Sequence, residues 1–153
     1  MDKIFYVSVT GIVVKDGKFL ITRRSEKEKA FHGRWTVPGG KFQQSDYAQL
    51  VPNNSGLWYE TVERCLRREL KEEADVEVNN IRYLTSICYI RPDNAHCLIL
   101  SFYCDHKEGN VKLCPALTDH AWVTLEEARN YDLIDGIYDE LVLVDKALKA
   151  KNL

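Results

Sequence analysis

Apolar and polar positions divide the chain into segments of two periods. Ile4 to Val14 is rich in β-branched and aromatic residues and predicts a strand. Asp16-Gly17 follows as a two-residue hairpin signal, and Phe19-Leu20-Ile21-Thr22 returns as the partner strand. Phe31 to Trp35 leads into a short strand before Pro38-Gly39-Gly40. Val76 to Ile90 and His96 to His106 predict two further strands joined at Arg91-Pro92-Asp93-Asn94. Cys97 to Tyr103 is apolar enough to be central and buried. Thr124-Leu125-Glu126-Glu127 has the form of a capping box, with Glu127 capping a helix. Ile134 to Leu148 carries apolar residues at helical spacing, which predicts a core-packing helix whose basic end suits its dipole.

The segment Glu60 to Val76 is the anomaly. It reads as a helix whose apolar stripe comprises Val62, Cys65, Leu66 and Leu70. Glu69 and Glu73 point into that same stripe, one turn apart, and Glu72 lies at its edge. A solvated face accounts for Glu63, Arg64, Arg67 and Lys71. It does not account for Glu69 and Glu73, because a carboxylate on an apolar face loses hydration unless it is paired or holds a cation. Spacing alone leaves two readings open. In one, Arg64, Arg67 or Arg68 neutralises the acids. In the other, oxygen ligands hold Mg²⁺, with Mn²⁺ as the alternative ion.

Arg68-Glu69-Leu70-Lys71-Glu72-Glu73 resembles the core of the Nudix box, G-x5-E-x7-R-E-U-x-E-E-x-G-U, where U is a bulky aliphatic. Glu60, eight residues before Arg68, takes the first glutamate position, and Val76 takes the last aliphatic one. Trp35-Thr36-Val37-Pro38-Gly39-Gly40-Lys41 resembles the strand and turn that open the box. Two departures stand out. Between Gly40 and Glu60 the chain has about fourteen residues more than the box. Asp75 replaces the late glycine, and Asp tolerates the left-handed backbone expected there.

The resemblance implies a single domain over residues 1–153, an α/β fold of the Nudix type, with a mixed β-sheet in an α/β/α sandwich. It implies metal-dependent hydrolysis of a nucleoside diphosphate linked to another moiety, such as ADP-ribose or a nucleotide sugar. Pyrophosphohydrolysis of ordinary or oxidised nucleoside triphosphates is the alternative. A domain that senses a nucleotide without cleaving it is the rival from another class. Glu69, Arg68 and Glu72 are the implied catalytic residues. Glu69, Glu72, Glu73 and the backbone carbonyl of Gly40 are the implied Mg²⁺ ligands. Glu69 is the candidate base, on the ground that Arg68 beside it in sequence does not share its face. Thr118 to Val123 resembles the strand that brings a further acid toward the metal, which makes Asp119 an outside candidate.

Three other features bear on the substrate. Arg23 and Arg24 end the second strand, where a guanidinium contacts a phosphate or stacks on a base; solubility is the plainer account. Gly39 permits close backbone approach to a ligand. The extension from Phe42 to Tyr59 is a surface loop by its Asn53-Asn54-Ser55-Gly56 tip, yet it also carries Tyr47, Leu50, Val51, Leu57 and Trp58. These leave three occupants open: a nucleobase on Trp58, a partner subunit in a homodimer, or the domain's own surface.

Composition narrows the partners. The chain has 153 residues and a formal net charge of −2, which excludes bulk electrostatic binding to nucleic acid or an anionic membrane. No apolar run approaches the roughly 20 residues of a membrane span. Met1-Asp2-Lys3-Ile4 lacks a signal-peptide profile. Five cysteines with no C-x-x-C pair fit reduced thiols in a cytoplasmic protein. The expected partner is a small-molecule nucleotide.

Overall fold

The computed structural model describes residues 4–151; Met1 to Lys3, which open the stretch read above as lacking a signal-peptide profile, lie outside them. Strands β1 (Phe5–Lys15), β2 (Lys18–Arg24), β3 (Trp35–Thr36) and β4 (Gly39–Lys41) precede a 3₁₀ turn, Gln44–Asp46. Helix α1 (Thr61–Ala74), strands β5 (Glu77–Ile90), β6 (His96–Glu108) and β7 (Leu117–Val123), and helices α2 (Leu125–Ala128) and α3 (Ile137–Ala150) complete the order.

Asp16 and Gly17, both at positive φ, close the β1–β2 hairpin with Lys15 opposite Lys18. The sheet is mixed, in the order β3-β2-β1-β6-β5, with β4 paired to β1 and β7 to β2. Only β1 and β6 run parallel among these pairings; β6 sits inside the sheet and is buried from Ser101 to Cys104. One edge of β1 changes partner along its length. Val14 pairs with β2, the Gly11 amide donates to the Pro38 carbonyl at 3.0 Å, and Thr10 to Ser8 pair with β4. The sheet therefore forks beside Gly39.

Strand alternation sorts the core into two layers. Val9, Val13 and Leu20 face α1 and meet Leu66 and Leu70. Ile12, Phe19 and Ile21 face α3 and meet Leu141 and Val144. Burying Leu66 and Leu70 completely contributes about 2 kcal/mol each. Gly11 lets α1 approach: a Cβ there would stand 2.7 Å from Leu66 Cδ1. The result is an α/β/α sandwich with α1 and α3 on opposite faces. Asp75 takes φ 54° at the end of α1, the left-handed turn expected of it.

Candidate active site

The buried stripe of α1 consists of Cys65, Leu66, Leu70 and Ala74, and Glu69 is buried with it at 8 % exposure. The site that allows this is Gly40. Its backbone pairs with Val9, and the space where a Cβ would project is filled by the Glu69 carboxyl group. Any side chain at Gly40 displaces that carboxylate. Gly39, one step earlier, has the Val9 carbonyl and Thr10 backbone in the equivalent space. The two glycines thus hold β4 against β1 and open a seat for Glu69.

Arg68 organises the acids. Its Nε donates to Asp46 Oδ1 at 2.6 Å and its Nη2 to Asp46 Oδ2 at 3.2 Å and to the Lys41 carbonyl at 3.0 Å. Its Nη1 donates to Glu69 Oε1 at 2.8 Å and Glu72 Oε2 at 3.1 Å. This corrects the expectation that Arg68 leaves Glu69 alone. The side chain is long enough to curl back along the helix, and Asp46 pulls it there.

Asp46 was missed in the sequence. Its side chain is 1 % exposed and also accepts from the Gln43 amide at 2.8 Å. It stands six residues after Gly40, which is the first-glutamate spacing counted from the glycine end of the box. Counting back from Arg68 gives Glu60 instead. Glu60 is exposed, caps α1 in a left-handed conformation, and makes no side-chain capping bond. The extra residues therefore lie between Asp46 and α1, and Phe42 to Asp46, assigned above to the extension, belong to the turn that opens the site.

Glu73, one turn beyond Glu69, has its pKa pushed up to about 7 by burial and by the Glu69 charge, with Glu72 adding to it; the Gly39 amide and Arg24 offset part of this. Burial likewise raises Glu69, against the stabilising bond from Arg68. Glu69 and Glu73, whose charged forms burial disfavours in spite of Arg68 and Arg24, offer oxygen donors only, a set that suits a hard divalent cation. As the side chains stand, no three acidic, imidazole or thiol groups converge on one point among the described residues; Arg68 holds Glu69 and Glu72 toward itself. The Cys65 thiol beside them is pushed up to about 12, by burial first and then by Asp46, so it is not a nucleophile at neutral pH.

The remaining candidates divide. Arg24 lies near enough to act on Glu73 electrostatically, while its Nε donates to the Ala30 carbonyl at 2.8 Å. Arg23 is turned to its own loop, donating to the Gly33 carbonyl at 2.9 Å and to Glu26 at 3.1 Å. Trp58 is engaged inside the extension: its indole N–H donates to the Leu50 carbonyl at 2.8 Å, and its ring meets Tyr47, which stacks on Phe42. Asp119 is exposed and accepts from the His120 amide. Thr124 accepts from the Glu127 amide at 3.1 Å, so the hydroxyl half of the expected capping box is present.

A NUDIX domain model matches residues 5–142 of the chain. The nucleoside triphosphatase NudI of Escherichia coli K12 is 25% identical over 136 residues, 82% of this chain and 86% of its own. The NAD-capped RNA hydrolase NudC of Pseudomonas putida is 35% identical over 69 residues, 44% of this chain and 24% of that protein. Among solved structures, a MutT NUDIX hydrolase from Burkholderia pseudomallei superposes with TM-score 0.73 at 22% identity, covering 93% of this chain and 99% of that one. The NUDIX domain of Shewanella oneidensis NrtR, complexed with ADP ribose, gives TM-score 0.74 at 18% identity over 96% and 90%. The match runs from the first strand through the glycine turn and acid helix into α3, and on it the chain belongs to the Nudix family of hydrolases, pyrophosphohydrolases of nucleoside diphosphate derivatives.

Proposed function

We propose that this chain hydrolyses the phosphoanhydride bond of a nucleoside diphosphate carrying a further group, with Mg²⁺ held by Glu69, Glu72 and Glu73. The observation that carries the reading is the seat of Glu69 over Gly40 with Glu73 one turn on, two carboxylates whose charges burial and mutual repulsion disfavour. When bound, the cation supplies neutralisation of the diphosphate charge and Lewis-acid activation. Glu72, 60 % exposed at its side chain, is the acid free to swing from Arg68 toward the ion. Asp46 fixes Arg68, and Arg68 fixes Glu69. Glu69 or Glu73 accepts the proton of the attacking water; the bond from Arg68 lowers the basicity of Glu69 and favours Glu73 for this task. The charge of Arg24 acts on Glu73, which supports a role for its guanidinium in meeting a phosphate oxygen of the substrate.

A second reading, a nucleoside triphosphate as substrate, is favoured by the similarity to NudI, a nucleoside triphosphatase, across 82% of the chain. One panel separates the two: ADP-ribose, nucleotide sugars, dinucleoside polyphosphates, and ordinary and oxidised nucleoside triphosphates, each with Mg²⁺. Turnover of ADP-ribose, a nucleotide sugar or a dinucleoside polyphosphate that Glu73→Gln abolishes supports the proposal and names the class, whereas turnover of triphosphates alone supports the second reading. Absence of turnover throughout overturns it.

A further inference from the structure

Strand β5 ends the sheet, and among the described residues no strand pairs with its outer edge. An open edge is a row of unmet N–H and C=O groups ready to take another strand, and proteins blunt it with bulges and charge. The first half of β5 is blunted in both ways. Its pairing with β6 shifts register between Glu77 and Val78, between Asn79 and Arg82, and between Tyr83 and Thr85. Asn80 takes a positive φ, and Glu77 and Arg82 supply charge.

The second half has neither protection. From Thr85 opposite Ser101 to Ile90 opposite His96 the register with β6 is unbroken. Tyr83-Leu84-Thr85-Ser86-Ile87-Cys88-Tyr89-Ile90 contains no charged residue, no proline and no glycine, the composition that most readily adds a further strand. Thr85 to Ile90 presents about 20 Å of regular edge. Ser86, Cys88, Tyr89 and Ile90 are exposed there, Ile90 at 60 %. The charges that bound the stretch are neutralised within the chain: Arg82 pairs with Asp105 at 2.7 Å and Arg91 with Asp93 at 2.6 Å.

That charge pattern selects the occupant. A two-fold contact sets a segment against itself, so a charge within it meets its own kind across the axis, where like charges repel. An uncharged stretch between internally paired arginines avoids this, and it offers a charged foreign peptide no counter-ion. We infer that Thr85–Ile90 pairs antiparallel with the same segment of a second copy of this chain, carrying the sheet across a two-fold axis. Cys88 and Ile90 lie on one face of the sheet and Ile87 and Tyr89 on the other, so cross-strand contacts form on both. Strands β6 and β1 separate this edge from the glycine turn that seats Glu69, so the pairing leaves the acid site open. The inference does not depend on the hydrolase reading.

The test joins sedimentation equilibrium, from low micromolar to near-millimolar protein, with hydrogen exchange at the two ends of that range. The wild-type mass is expected to rise toward twice that of the chain. Amides within Thr85–Ile90 should slow roughly tenfold or more as it does, while those of Glu77–Asn80 do not. Ser86→Lys and Ile90→Lys, at exposed positions, place a lysine on the edge and should hold the protein monomeric over the same range. Asn79→Lys, in the bulged half, should still dimerise. The exchange measurement on the wild type decides the matter even where a variant fails to fold. A monomer at every concentration overturns the inference, as does a dimer protected elsewhere or one that both edge lysines leave intact. Growth beyond two copies overturns it as well, because a two-fold pair of these edges is closed.

Discussion

Asp46 and Arg68 stand 22 positions apart in the chain and 2.6 Å apart in space. Asp46 is enclosed while Arg68 keeps 22 % of its side chain exposed, so breaking the pair costs less than a fully buried one. Asp46→Ala should lose about 3 kcal/mol in urea unfolding and should lower kcat by releasing Arg68 from the acids. Glu60→Gln should change neither. Parallel denaturation and steady-state kinetics on the two variants decide which acid completes the box.

Two buried acids give opposite pH slopes. Burial alone would raise Asp46, but the Arg68 and Gln43 hydrogen bonds and the Arg68 charge outweigh it and hold it below its ordinary 3.8. Its contribution is present above 3.8 and is lost as pH falls through the folded value. Burial raises Glu140 above 4.5, against a smaller opposing bond from Ser101. Its folded form binds more protons than its unfolded form between those values, so stability falls there as pH rises. Asp46→Asn should flatten the acid limb of a Tm-versus-pH curve at a lower plateau. Glu140→Gln should raise Tm at pH 7 and remove the decline that begins above pH 4.5.

The adjacent glycines should fail differently. At Gly40 an added methyl meets the end of a flexible side chain, Glu69, which can move aside. Gly40→Ala is expected to keep its fold and lose roughly tenfold or more in kcat. At Gly39 the methyl meets the backbone of Val9 and Thr10, which cannot. Gly39→Ala should cost about 1–3 kcal/mol of stability. Thermal melts beside kinetics distinguish the two.

Glu73→Gln removes a carboxylate whose charge is already disfavoured, with its pKa at about 7. The variant should melt no lower than wild type at neutral pH, and turnover should drop roughly hundredfold or more. Millimolar Mg²⁺ should raise the wild-type Tm by mass action and leave the variant's unmoved. A variant that still gains Tm with Mg²⁺ would place the ion elsewhere.

The strands and helices were legible because their periods are clean: alternation in β1 and β2 assigns Val9 and Ile12 to opposite layers, and the stripe of α1 is interrupted only where Glu69 and Glu73 fall. The acid helix was legible for the same reason, since two carboxylates on an apolar face have few physical explanations. Asp46 was not. An insertion shifts every residue on one side of it, and spacing measured from Arg68 passes over the true pair, while spacing from Gly40 finds it. Arg23 and Arg24, neighbours at the end of β2, point to opposite sides by strand alternation, and it is Arg24 whose charge acts on Glu73. The two roles of the glycines depend on what occupies the space above each, which no pattern of residues records.

The Asp46–Arg68 pair has an evolutionary corollary. It pins the chain on the near side of the extension, and the Phe42–Tyr47–Trp58 stack gathers the far side. Between two fixed ends, tripling the connecting length costs only about 1 kcal/mol of closure entropy. The segment from Val51 to Leu57, between those anchors, is thus a tolerant graft point: length and composition can drift there without moving Asp46 or α1, and a tag or recognition module spliced at the Asn53–Gly56 tip should inherit that tolerance.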